Sequence, residues 1–190
     1  MLRPLALAAT LMLAACAGQP DYFLLPAPEP AVRQASPVGT LAVAEVSLPA
    51  YADAMEIAFL VSPGTATSER QAIWGDTPRR ALTRHLVAAL EARLNARVLA
   101  DPWPGYDQPG LRIEVFADRM IGAPGGGLDF AGQFVVVSPD SGHVTATERF
   151  RITVPAAGEG NAALMTAHAR AIEELADQIV ARITGRARPS

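Results

Sequence analysis

Three alternating runs in succession, Leu111 to Asp118, Leu128 to Val137 and Val144 to Val154, limit the fold of this chain more than any other feature. Successive side chains of a strand point to opposite faces, so a period of two marks a strand with one face toward a core. In the last run Val144, Ala146, Phe150, Ile152 and Val154 face one way, while Thr145, Thr147, Arg149, Arg151 and Thr153 face the other. Glu148 is an exception on the apolar face. The joints, Gly122-Ala-Pro-Gly-Gly-Gly127 and Ser138-Pro-Asp-Ser-Gly142, are turn sequences. Short turns make consecutive strands antiparallel neighbours, so 111–154 is expected to form a three-strand meander.

Two helices are expected beside it. Asp76-Thr77-Pro78 supplies a capping side chain and a proline at the first helical position. Leu82, Leu86, Leu90 and Leu94 then repeat every four residues, with charged residues mostly elsewhere, and Asn95 is the expected stop. Asn161 to Ile183 is the second helix, with Leu164, His168, Ile172, Leu175, Ile179 and Ile183 on one face and Gly185 as its end. Earlier strands are expected at Leu41 to Leu48 and Met55 to Val61, with a turn over Gly64 to Ser68. Shorter pieces are expected at Arg70 to Trp74 and Val98 to Ala100. The sum is an α/β (α+β) domain over 40–185. It is a single mixed, largely antiparallel sheet of five to six strands packed with two long amphipathic helices. Its length of 190 residues suits one such core.

The N-terminus reads as a processing signal. Met-Leu-Arg precedes an apolar run from Leu5 to Ala15, and small residues lead to Cys16. About 11 apolar residues span roughly 16 Å as a helix, short of the roughly 30 Å of a bilayer core. Residues 1–15 are therefore expected to be a signal peptide. Leu13-Ala14-Ala15-Cys16 resembles a bacterial lipobox, which would make Cys16, the sole cysteine, the lipidated residue. Ala17 follows it instead of Asp, which favours the outer membrane. Residues 16–39 are rich in proline (Pro20, Pro26, Pro28, Pro30, Pro37) and are expected to be a lipidated, extended tether. Within it, Asp21 to Leu25 is expected either to add a short edge strand or to lie on the domain surface.

Chemistry-bearing constellations are sparse. Net charge is −3, and the 16 basic residues are all Arg and scattered, which excludes the dense basic face of a nucleic-acid binder. One Cys forms no internal disulfide, and His85, His143 and His168 have no metal-ligand spacing, so no metal or cofactor is expected. Gly125-Gly126-Gly127 lacks the Lys-Ser/Thr and the strand–loop–helix setting of a phosphate loop. Ser138 and Ser141 lack a nucleophile elbow. Glu114 and Asp118, four apart in a strand, are expected to share a solvated face. The expectation is a protein without catalysis.

Several segments in order resemble the ABC-type transport auxiliary lipoproteins, the PqiC-like family. They are the lipobox with Tyr22-Phe23-Leu24-Leu25-Pro26 after it, Leu41-Ala-Val-Ala-Glu-Val-Ser-Leu-Pro-Ala-Tyr-Ala-Asp53, Ile73-Trp74-Gly75-Asp76, and Pro102-Trp103. Ala54-Met55 departs from the family's usual Arg-Pro, and Gly75 from its usual Ala. The resemblance covers roughly residues 10–184. It implies a non-catalytic lipoprotein on the periplasmic side of the outer membrane. Such a protein works with a periplasmic MCE-domain protein that forms a lipid tunnel, and with that protein's inner-membrane permease and ATPase. It also implies a ring-like homo-oligomer. The alternative is an envelope-stability or assembly lipoprotein, since the meander and closing helix also resemble a TolB-like domain that binds protein or peptidoglycan. Pro49, Tyr51, Trp74 and Trp103 sit in Pro/Gly-bounded segments outside the periodic elements and are the candidate partner-interface residues.

Overall fold

The computed structural model describes residues 19–104, 106–123 and 126–185. Cys16, the apolar run before it and the tail after Gly185 lie outside them. The elements in chain order are β1 (Asp21–Phe23), β2 (Thr40–Val43), β3 (Glu56–Ser62), β4 (Thr65–Trp74), α1 (Pro78–Arg93), β5 (Arg97–Ala100), β6 (Leu111–Ala123), β7 (Gly127–Ser138), β8 (His143–Val154) and α2 (Gly160–Thr184). All eight strands join one mixed sheet, more than the five or six expected, because β1 and the full length of β4 also pair.

The 13-residue β6 organises this sheet. One edge pairs antiparallel with β7 along nearly its whole length, and β7 pairs antiparallel with β8, as the meander requires. The other edge is divided. Leu111 to Ile113 pair parallel with β2, which in turn pairs parallel with β5. Gly122 pairs parallel with Phe59 of β3. β3 continues antiparallel into β4, and β1 lies parallel on the far side of β4. Sequence periodicity marks where strands are, and these distant parallel pairings leave no trace in it.

A β-bulge at Asp118 changes which residues of β6 face the core. Ala117 pairs with Gly132 and Arg119 with Ala131, so Asp118 is the extra residue. Ile113 and Val115 point inward before it, and Met120 and Gly122 after it. Glu114, 3.3 Å from Arg112, and Asp118, which accepts from Arg149 at 2.8 Å, both lie on the outer face, as their spacing suggests. Gly132 allows the close approach, because a Cβ there would run into the Phe116 carbonyl oxygen.

Both helices cover one face of the sheet, α1 over β2 and β5, α2 over β7 and β8. The leucine stripe of α1 is buried as expected, with Leu82, Leu86, Leu90 and Leu94 all at 0 % exposure. They meet Leu41, Val43, Val98 and Ile113 in a core that continues through Phe130, Phe134, Ile172 and Ile179. Glu148, on this inner face, reaches the α2 residue Arg182 at 3.0 Å, which accounts for a charge in the apolar row. The start of α1 differs in detail from the expectation. Thr77 occupies the cap position without a side-chain cap bond, while Asp76 accepts the Thr77 N–H at 2.7 Å and grips Arg80. Gly185 ends α2 with φ +70°, a left-handed conformation that a side chain would disfavour.

The proline-rich stretch lies along the body from residue 21 onward. Gly75 N–H donates to Phe23 O, Leu24 packs over Gly75, and the Glu29 N–H donates to the Glu173 carboxylate. Gln34 accepts from Asn95 and donates to the Arg93 carbonyl. Prolines keep the chain extended, and these bonds hold it down.

Leu86→Ala should lower stability by about 2–5 kcal/mol, because a fully buried leucine in a rigid layer leaves a cavity. Chemical or thermal unfolding checks it, and an unchanged midpoint would contradict the packing described.

Candidate functional site

Among the described residues no group of three or more His, Cys, Asp and Glu is placed to hold a metal ion. The histidines do not gather. His143 is exposed at the start of β8. His168 is buried on α2, with its Nδ1 2.7 Å from the Leu164 carbonyl oxygen, so Nδ1 carries the proton. Burial pushes its pKa down to about 4, and the imidazole stays neutral.

Trp74 stands edge-on to that ring, with centroids 5.2 Å apart at 87°. Trp74 is 4 % exposed and is the last residue of β4, not part of a loop. Its flanking Gly75-Asp76 gives it the look of a loop residue, yet the strand end turns its ring into the core. It is a core plug, and of the four interface candidates it is the one that no partner can reach.

The other three lie near the surface. Pro49 closes a turn in which its carbonyl accepts from Ala52 at 2.9 Å and Asp53 at 3.1 Å. Tyr51 is 36 % exposed, and its hydroxyl oxygen accepts the Met120 N–H at 3.2 Å. That bond falls between the segments where β2 and β3 pair with β6, so Tyr51 serves a backbone group on the divided edge. Asp53 ends the turn in a two-pronged pair with Arg79 at the start of α1, and the guanidinium holds its carboxyl below the usual range. Trp103 is partly exposed and lines an open cleft of about 690 Å³ with Glu45, Asp101, Gln108, Pro109 and Arg112. Arg112 spans its floor, 2.9 Å from Asp101 and 3.3 Å from Glu114.

A charge cluster between the helices escaped the sequence reading. Arg93, at 7 % exposure, bonds Asp177 at 2.7 Å and the Ala89 carbonyl at 3.2 Å, with Glu173 at 3.7 Å. His85 lies 3.5 Å from Glu173, and its burial lowers its pKa despite that carboxylate. The Glu29 N–H also donates to Glu173, so the cluster fastens the N-terminal segment to both helices. Glu173 and Asp177 are one helical turn apart, a spacing that could have flagged a shared partner.

The geometry describes an α+β domain built on one sheet, with no cluster of metal-ligating side chains among the described residues. The family described as ABC-type transport auxiliary lipoprotein component matches residues 22–180, and the chain belongs to that family. A solved structure titled an uncharacterized protein shares 18 % identity and a TM-score of 0.72, covering 87 % of this chain and 99 % of its own. Protein XCC0632 from Xanthomonas campestris, of family DUF330, shares 19 % identity and a TM-score of 0.63, covering 86 % and 93 %. Those likenesses establish the fold. No curated protein matches the sequence. No described helix is long and apolar enough to cross a membrane.

Acid should weaken this protein in a defined window. An unfolded histidine takes up a proton near its ordinary pKa of 6.5, whereas folded His168 refuses it until about 4. Its contribution is therefore complete above pH 6.5 and is lost as pH falls toward 4. At ~1.4 kcal/mol per pKa unit the loss is about 3 kcal/mol. His168→Gln keeps a donor for the Leu164 carbonyl but cannot charge, so urea unfolding at several pH values should show a flatter slope. An unchanged slope would assign the acid sensitivity elsewhere.

Proposed function

We propose that this chain is the non-catalytic outer-membrane lipoprotein of an MCE-type ABC transport system. In this reading Cys16 carries the lipid anchor on the periplasmic side. The α+β body docks the far end of a periplasmic lipid tunnel formed by an MCE-domain protein, whose inner-membrane permease and ATPase supply energy. Copies associate into a ring around that tunnel end. The family match over residues 22–180 carries the reading. The lipobox and the exposed Pro49, Tyr51 and Trp103 segments support it.

The contact surface is assigned to the Trp103 cleft and to the Pro49–Tyr51 turn. A partly exposed indole beside Pro102 and Pro109 offers apolar contact area at little entropic cost. Arg112, Asp101 and Glu45 give that area a charged rim.

Two variants of the full chain test this. Cys16→Ser should move the protein from the membrane pellet to the soluble fraction, and persistence in the pellet would remove the lipid anchor from the reading. Trp103→Ala should keep the circular dichroism spectrum and lose capture of a periplasmic MCE-domain protein from the same cells. A hot-spot aromatic is worth about 2 kcal/mol or more, a fall of roughly thirtyfold in affinity. Wild-type protein that captures no MCE-domain protein would favour the envelope-stability reading.

A further inference from the structure

The β3–β4 hairpin stands apart from the rest of the body. Every residue from Val61 to Gln71 is exposed, on both faces of the ribbon. β3 meets β6 at the single pair Phe59 and Gly122, and β1 covers only Ala72 to Trp74 of β4. An isolated two-stranded ribbon is marginal in water, so one that projects this far calls for a surface to rest on. From Ile57 to Ser68 the hairpin carries no charged residue, and Val61 is 58 % exposed at its tip beside Pro63.

The direction of the hairpin identifies that surface. β1 is parallel to β4, with Asp21 opposite Ala72. The chain thus enters β1 from the end of the sheet toward which β4 runs back to Thr65. Cys16 and Asp21 are five steps apart along the chain, a span of at most about 18 Å. Thr65 and Ala72 are seven steps apart, about 23 Å at the rise of a strand. The hairpin therefore reaches at least as far from the body as an anchor on Cys16 can. The β7–β8 turn lies at the opposite end of the sheet, since β3 runs parallel to β6 and that turn adjoins the start of β6.

We propose that the tip of the β3–β4 hairpin, Leu60 to Ala66, is a second contact with the lipid membrane that holds the Cys16 anchor. This rests on lipidation at Cys16. Val61 and Pro63 enter the boundary between headgroups and acyl chains, where the tip has no side-chain charge to desolvate and its hydroxyls and backbone stay at headgroup depth. One lipid anchor lets a body swivel, and a second contact at a fixed place fixes which end faces away from the membrane.

The test uses the full lipidated chain in vesicles of phosphatidylethanolamine and phosphatidylglycerol. Val61→Cys, labelled with an environment-sensitive fluorophore, is compared with Val144→Cys at the far end of the sheet. Circular dichroism verifies the fold, and mass spectrometry of the mature chain verifies acylation of Cys16. The expected result is blue-shifted emission at residue 61, quenched by nitroxide-bearing lipids, with water-like, unquenched emission at residue 144. An acylated chain with water-like emission at residue 61 would overturn the hairpin contact alone. Blue-shifted emission that lipid nitroxides leave unquenched would overturn it in favour of a protein, or a second copy, covering the tip. A free thiol at residue 16 would overturn the anchor and this proposal with it.

Discussion

The divided edge of β6 is the constraint on which the sheet depends. One strand edge must satisfy backbone groups along 13 residues, and no single neighbour does so. β2 takes the beginning, Ser47 follows at Phe116 and Ala117, Tyr51 supplies a side-chain oxygen at Met120, and β3 takes the end. Buried backbone donors without partners are expensive, so the connection from β2 to β3 acts as part of the sheet although it is not itself a strand. The bulge at Asp118 falls within the same gap. The segment Leu48-Pro49-Ala50-Tyr51-Ala52-Asp53 thereby joins sheet to helix: its tyrosine bonds the sheet, its proline carbonyl closes the turn between, and its aspartate pairs with α1.

Several buried polar groups tie separate parts of the chain. Thr83 on α1 accepts the Val46 N–H at 2.9 Å just past β2. Arg93 joins the two helices through Asp177, and Glu173 adds the N-terminal segment. Such buried charges contribute little net stability against apolar replacements, but removing one partner strands the others. Their effect here is to fix how α1, α2 and the segment around Glu29 sit relative to one another, which apolar contact alone leaves slack.

Legibility in the sequence followed solvent exposure. The α1 leucines and the β7 and β8 alternations stood out because one face of each is dry and the other wet, the condition that writes periodicity into a sequence. Thr65 to Gln71 was read mostly as turn because both its faces are wet, so no pattern records the strand. The parallel partners of β2 were equally silent, since pairing between distant segments uses backbone atoms. Asp118 and Gly132 hid the bulge, whose only local sign is a glycine in a strand. Trp74 ends the short strand expected over Arg70 to Trp74, and only its buried ring departs from the reading, since Gly75-Asp76 beside it suggests an exposed loop. Gly75 lets Leu24 lie directly over it, and a Cβ there would push that exposed side chain aside. The charge on the apolar row at Glu148 was legible, but not its partner thirty-four residues later.

The way the N-terminal segment is fastened also determines how the domain carries a mechanical load. A pull on the chain ahead of Asp21 acts along the axis of β1, so its bonds to β4 are strained in shear, all at once, instead of being peeled one after another. Behind them the Phe23–Gly75, Glu29–Glu173 and Gln34–Asn95 bonds come under tension in sequence, each on a different part of the body. Force entering at one end of the molecule is spread first to the sheet and then to both helices. The core beneath the leucine stripe is thus the last part to feel a tug that arrives through the N-terminus.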